Sequence, residues 1–199
     1  MESNKIDFAY LIATVEQEIP KKRFLHTLSV STTAACLSMH YSEDIKKARL
    51  AGLLHDIAKC LSDEEIYSQC LENNIPITDT ERKNLYLLHA KLGAFYAKSR
   101  FLIEDKEVLN AIQYHTTGRP AMSMLEKIIF LADYIEPGRK EIPGLAEIRT
   151  LSFENIDLAV YLTLKNTLVY LQSITDNADI DEMTIQAYEY YKQLMERST

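Results

Sequence analysis

His55 and Asp56 stand side by side in Leu53-Leu54-His55-Asp56-Ile57-Ala58-Lys59, an imidazole and a carboxylate in a stretch otherwise apolar up to its lysine. Either group buried without a partner would cost several kcal/mol. Neighbouring side chains on a helix diverge by about 100°, so both could lean toward an ion held between their helix and a second one. A core histidine beside a surface aspartate is the ordinary explanation of such a dipeptide. The remaining histidines and one distant aspartate argue for more.

His26 falls in line with Val30 and Leu37 and is expected to face inward. His89 follows Leu85, Leu87 and Leu88, and His115 follows Ile112 just ahead of a Thr-Thr-Gly turn. Asp133 has apolar neighbours on every side of its helix, where a carboxylate requires a cation, a metal or dense hydrogen bonding. One buried histidine is usually a core residue. Four of them with two aspartates, all on inward faces, make a donor set. Imidazole and carboxylate without thiolate suit iron, manganese, zinc and other borderline-to-hard ions. Such an ion would bring the pKa of bound water to about 7. Arg23, three residues before His26 on the same helical face, and Arg139 could fork onto an anionic group, and Thr116 with its turn could add donors. His40 and Arg119 read as surface residues, and no aromatic residue is assigned to a base.

Helical spacing of apolar residues runs nearly throughout, which predicts an all-α chain. The first helix is expected from about Lys5 to Glu18, stopped by Pro20, and the second from Lys21 to His40. Ser42 is expected to cap the third, which carries His55 and Asp56. Ser62-x-x-Glu65 has capping-box spacing for a fourth, and so does Ser123-x-x-Glu126 for the apolar helix around Asp133. Between them lie a stretch from Thr80 to Phe101, broken near Gly93, and a helix from Glu104 to His115. After Pro137-Gly138, two or three further helices follow, the longest from about Phe153 to Ser173 and the last from Asp181 to Glu196. No linker divides the chain. The expected partition is one helical domain over 1–199, with a core over about 21–140 and a C-terminal helical extension over about 145–197.

The 199 residues include 22 basic and 29 acidic ones, a net charge of −7, which argues against nucleic acid or an anionic membrane as partner. A substrate bearing negative charge would need a local reversal of field, which a bound metal supplies. Cys36, Cys60 and Cys70 are odd in number and lack Cys-x-x-Cys spacing, so neither a disulfide framework nor a thiolate zinc site is indicated. No signal peptide or membrane span is read, and the expected location is cytoplasmic.

His26, then His55-Asp56, then Asp133 reproduce the H…HD…D pattern of HD-domain metal-dependent phosphohydrolases. Arg23-Phe24-Leu25-His26-Thr27-Leu28, Gly52 to Lys59, Leu88-His89-Ala90, Tyr114 to Pro120 and Phe130 to Arg139 together resemble the bacterial YqeK family, symmetrical bis(5'-nucleosyl)-tetraphosphatases. The resemblance runs from about Arg23 to Arg149. It implies an HD-domain helical bundle that splits diadenosine tetraphosphate into two ADP by metal-activated water attacking an inner phosphate. Carried over by position, His26, His55, Asp56 and Asp133 hold the metal. His89 and His115 either hold a second ion bridged by Asp56 or contact phosphate. Asp56 and Lys59 carry the chemistry, and Arg23, His89, His115, Thr116 and Arg139 bind substrate. One or two divalent or trivalent ions are expected, iron first, then manganese or another transition metal, and a homodimer is compatible with this reading. The glycine-tyrosine-proline motif of the branch that cleaves cyclic dinucleotides is absent. A mononucleotide or nucleoside-triphosphate phosphohydrolase of the same superfamily, or a non-catalytic nucleotide sensor, are the alternatives.

Overall fold

A computed structural model describes residues 7–174 and 180–197. They form an all-α structure with eleven α-helices and no strand among the described residues: α1 (Phe8–Glu18), α2 (Lys21–Tyr41), α3 (Ile45–Leu54), α4 (Asp63–Glu72), α5 (Asp79–Lys83), α6 (Leu88–Ser99), α7 (Lys106–Gln113), α8 (Met124–Ile135), α9 (Leu145–Glu154), α10 (Ile156–Ile174) and α11 (Glu182–Arg197). A short 3-10 helix, Leu85–Leu87, precedes α6.

Local capping explains most of these boundaries. Asp7 accepts from Ala9 N and Tyr10 N at the start of α1; Lys5, the expected start, lies outside the described residues. Both expected capping boxes close, Ser62 with Glu65 and Ser123 with Glu126, and Thr78 with Glu81 makes a third. Asp44, not Ser42, caps α3; Ser42 instead ends α2 in the left-handed conformation, with φ 57°. The break expected near Gly93 lies at Asn84, and Gly93 sits inside α6. The long helix expected from Phe153 is split at Asn155, whose Oδ1 accepts from Leu158 N at 3.1 Å and starts α10 afresh.

α8 is central, as an all-round apolar helix must be. Leu125, Ile128, Ile129, Phe130, Leu131, Ala132 and Ile135 are all buried, and the helix packs against α2, α3, α7, α9 and α10. α2 and α3 pack backbone to backbone at Gly52, where a Cβ would lie 2.8 Å from Ser31 Cα. That approach brings the segment after α3 against the N-terminal half of α2. The C-terminal helices belong to the same apolar core, which runs without interruption from Leu11 to Tyr191. Tyr191 of α11 is fully buried and its hydroxyl accepts from Met122 N at 3.2 Å. Gly118, at φ +64°, packs under Ala187 of α11 and Leu164 of α10. Those two helices therefore brace the loop between α7 and α8.

Candidate metal centre

α3 ends at Leu54, so His55 and Asp56 do not lie within a helix as expected. They begin a run of tight turns in which Ile57 N donates to Leu54 O (3.1 Å), Lys59 N to Asp56 O (2.9 Å) and Leu61 N to Ala58 O (3.4 Å). With about three residues per turn in such a segment, Asp56 and Lys59 point to the same side. α2 contributes Arg23 and His26, the first turn of α6 contributes His89, and the residue two past the end of α7 is His115. The last turn of α8 adds Asp133.

Five elements thus converge on Asp56, which is 4% exposed. Its Oδ2 lies 3.7 Å from His26 Nε2 and 3.5 Å from His55 Nε2. Asp133 Oδ1 closes the same group at 3.0 Å from His26 Nε2 and 3.8 Å from His55 Nε2. The other oxygen of Asp56, Oδ1, lies 3.3 Å from His89 Nε2 and 3.5 Å from His115 Nε2, and those two nitrogens are 3.3 Å apart. Donors bound to one ion at about 2.0–2.2 Å sit roughly 3–3.5 Å from each other, so each oxygen of Asp56 faces a set of metal-ligand dimensions. All six residues named from the sequence fall in groups that could hold an ion.

The chemistry of these donors fits a cation. His26 Nε2 and His55 Nε2 are buried and make no hydrogen bond despite the nearby carboxylates. Buried polar atoms left this way are rare. His55 Nδ1 donates to Gly52 O (2.7 Å), His115 Nδ1 to Ile112 O (2.7 Å) and His89 Nδ1 to Tyr86 O. A carbonyl only accepts, so in the neutral rings the proton is on Nδ1 and the bare Nε2 faces the centre. Burial lowers the pKa of His89 to about 4, with Asp56 opposing and Lys59 and His115 adding to it, which keeps that ring neutral and able to ligate. Burial alone would raise the carboxyl pKa of Asp56, but His55, His115 and His89 hold it well below the ordinary range. At Asp133 burial is likewise outweighed, by His26, His55 and Arg139. For His55 the lowering by burial is exceeded by the charges of Asp56 and Asp133 together with the hydrogen bond to Gly52 O, so its pKa rises. Ionised carboxylates beside an imidazole pulled toward protonation describe a cavity short of positive charge.

Three cationic side chains rim the centre. Arg23 Nη1 donates to Asp56 Oδ2 (2.6 Å), and Arg139 donates through Nη2 to Asp133 Oδ1 (2.5 Å) and through Nε to Asp133 O (2.7 Å). Lys59 Nζ lies 3.0 Å from His89 Nδ1, its pKa lowered chiefly by burial. Thr116 Oγ1 is 3.1 Å from His115 Nε2 and 3.3 Å from His89 Nε2. Arg119 is not a free surface residue: it forks onto buried Glu126 at 2.7–3.2 Å and ties the loop to α8. Two residues unmarked in the sequence reading also join the cluster, Glu136 through His26 Nδ1 and Ser29 by donating to Glu136 Oε2. The available signal was an acidic residue ahead of Pro137-Gly138, at a helix end otherwise apolar.

The HD domain family matches residues 23–138, a span that contains all six donors. Over 160 residues the chain is 38% identical to a symmetrical bis(5'-nucleosyl)-tetraphosphatase of Bacillus subtilis (strain 168), covering 80% of this chain and 85% of that protein. It is 40% identical over 174 residues to a protein of the same name from Halalkalibacterium halodurans, covering 87% and 91%. The crystal structure of a predicted HD superfamily hydrolase involved in NAD metabolism from Clostridium acetobutylicum superposes with a TM-score of 0.89 at 40% identity, covering 94% of this chain and 97% of that one.

Proposed function

The chain belongs to the HD-domain family and, within it, to the symmetrical bis(5'-nucleosyl)-tetraphosphatases, and on that premise we propose that it hydrolyses diadenosine tetraphosphate and related dinucleoside polyphosphates to two nucleoside diphosphates. The observation that carries the reading is Asp56 with its two oxygens turned to two separate donor sets, inside the matched span. His26, His55, Asp56 and Asp133 would hold one ion, and His89, His115 and Asp56 a second. Bound there, a divalent or trivalent metal supplies a Lewis acid that lowers the pKa of water and polarises phosphate oxygens. Among the described residues no cysteine joins the donor groups, which supports iron first and manganese or another transition metal after it.

The protein's own side chains would bind and orient the polyphosphate. Arg23 and Arg139 stand beside the two carboxylates with side chains 35% and 39% exposed, able to reach phosphate oxygens. The Thr116 hydroxyl offers a donor next to His115. Water would add to one inner phosphorus, releasing its proton to solvent, while the bond from that phosphorus to the bridging oxygen breaks and the oxygen leaves with the second ADP, its charge neutralised by the Lys59 ammonium.

Net charge −7 supports a small nucleotide rather than nucleic acid as partner. No helix among the described residues is long and apolar enough to cross a membrane, and with the odd cysteine count this supports a cytoplasmic location. We read α9–α11 as part of one domain with the metal-site helices, supported by the shared core. Product analysis tests the activity: ADP as sole nucleotide product from diadenosine tetraphosphate is expected, and ATP with AMP would overturn it.

A further inference from the structure

Three of the four central imidazoles are oriented by their own backbone, each through Nδ1 to the carbonyl three residues earlier. His55 and His115 can do so because they follow the ends of α3 and α7, where the last carbonyls lack intrahelical partners. His26 has no such recourse. It lies well inside α2, where the carbonyls behind it are engaged in the helix's own hydrogen bonds. Its Nδ1 must find an acceptor on another element.

The acceptor is Glu136, at the end of α8. Its Oε1 lies 3.4 Å from His26 Nδ1, while Oε2 accepts from Ser29 Oγ (2.7 Å) and Gly138 N (2.6 Å). The carboxylate is 3% exposed, and its place is built from several sides. A Cβ on Gly138 would lie 3.0 and 3.2 Å from its two oxygens, so a side chain there would displace the carboxylate by a few tenths of an ångström. Arg149 donates to Glu136 O (3.1 Å) and Ile135 O (3.0 Å), fixing the backbone that carries it. Opposite, His26 Nε2 is buried and without a hydrogen bond.

We propose that Glu136 is a positioning residue that holds His26 as its Nδ1–H tautomer, so that bare Nε2 faces the metal position. This rests on the reading of His26 as a ligand. A carboxylate on the far nitrogen of a ligating histidine sets ring orientation and basicity, and its loss typically lowers metal affinity by about 10- to 100-fold.

The isosteric variant Glu136→Gln separates this role from simple bracing. Gly138 N can only donate, so it claims the single amide oxygen, and the amide nitrogen then faces His26 Nδ1. The turn after α8 stays braced, but neutral His26 is driven to the Nε2–H tautomer. Nitrogen-15 spectra of the metal-free protein, with the His26 signals assigned through His26→Gln, should show Nδ1–H in the wild type and Nε2–H in Glu136→Gln. Titration with Mn²⁺ should show about 10- to 100-fold weaker binding in the variant, with an unchanged melting temperature for the metal-free form. Glu136→Gln that keeps the Nδ1–H tautomer and wild-type Mn²⁺ affinity overturns the proposal and leaves Glu136 as a brace for the turn. If the wild type takes up no Mn²⁺, the metal reading fails instead, and the spectra of the metal-free protein still decide the role of Glu136.

Discussion

Gly93 of α6 runs directly against the main chain of His55, so that a Cβ on Gly93 would lie 3.3 Å from the His55 carbonyl oxygen. The glycine positions α6, and with it His89, against the turn that carries Asp56. Gly93→Val should push the two apart. We expect a loss of about 1–3 kcal/mol in chemical denaturation, the range of core overpacking, together with weaker Mn²⁺ binding. Wild-type affinity in this variant would show that the close approach does not set the site.

On the two-ion reading proposed above, Asp56→Asn should abolish metal binding altogether, because each oxygen of that one carboxylate faces a different donor set. His26→Gln and His115→Gln should each lose only one. Elemental analysis after desalting reads the stoichiometry, and circular dichroism should stay unchanged because Asp56 lies in a turn. Full occupancy in Asp56→Asn would remove it from the shell.

Arg139→Ala should lower kcat/KM for diadenosine tetraphosphate by about ten- to a hundredfold, the worth of one charge-assisted hydrogen bond at about 1.5–3 kcal/mol. Metal content should hold, since Arg139 pairs with Asp133 but is not itself one of the donors. Steady-state kinetics on metal-loaded protein check this, and wild-type values would place Arg139 outside the substrate's reach.

The pKa of about 4 at His89 gives a pH signature in metal-free protein. Unfolded, the ring titrates near the ordinary value of about 6.5. The folded state therefore binds fewer protons between those values, and stability, full above about pH 6.5, falls as pH drops toward 4. The loss attributable to this group approaches about 3 kcal/mol. Denaturation of chelator-treated protein should show a shallower acid decline in His89→Gln; parallel curves would contradict the neutral buried ring.

Tyr191→Phe should cost about 1–2 kcal/mol, since it leaves buried Met122 N without its acceptor. Activity should fall less than stability, because the hydroxyl braces the loop behind His115 and does not touch the donors. Urea midpoints measured beside kcat separate the two.

The sequence discloses what depends on residue type and short intervals. Ser62 with Glu65 and Ser123 with Glu126 announce two helix starts, and the inward placement of His26, His55, His89 and His115 follows from apolar spacing. Thr78 with Glu81 carries the same signature as the other two boxes, but the polar run from Asn73 to Asn84 has too few apolar residues to mark the short α5. The end of α3 at Leu54 was hidden for the opposite reason: Ile57 and Ala58 continue the apolar pattern while the chain tightens into turns. Glu136 is decided by tertiary partners, Ser29 and His26, which no interval of periodicity can detect, whereas Asn155 acts through a local cap to Leu158 N that the continuing apolar pattern around it masks.

The different anchoring of the four imidazoles bears on how the protein is made. His55, His89 and His115 take their orientation from carbonyls three residues away, so each is set as soon as its own turn forms. His26 waits for a residue 110 positions later in the chain, and Asp133 arrives on the same helix, α8. A chain folded only through α7 would carry the His89, His115 and Asp56 set but would lack Asp133 and the carboxylate that aims His26. Capture of an ion at the His26 set would thereby be deferred until α8 has docked on α2, so the two donor sets would be completed at different stages of folding.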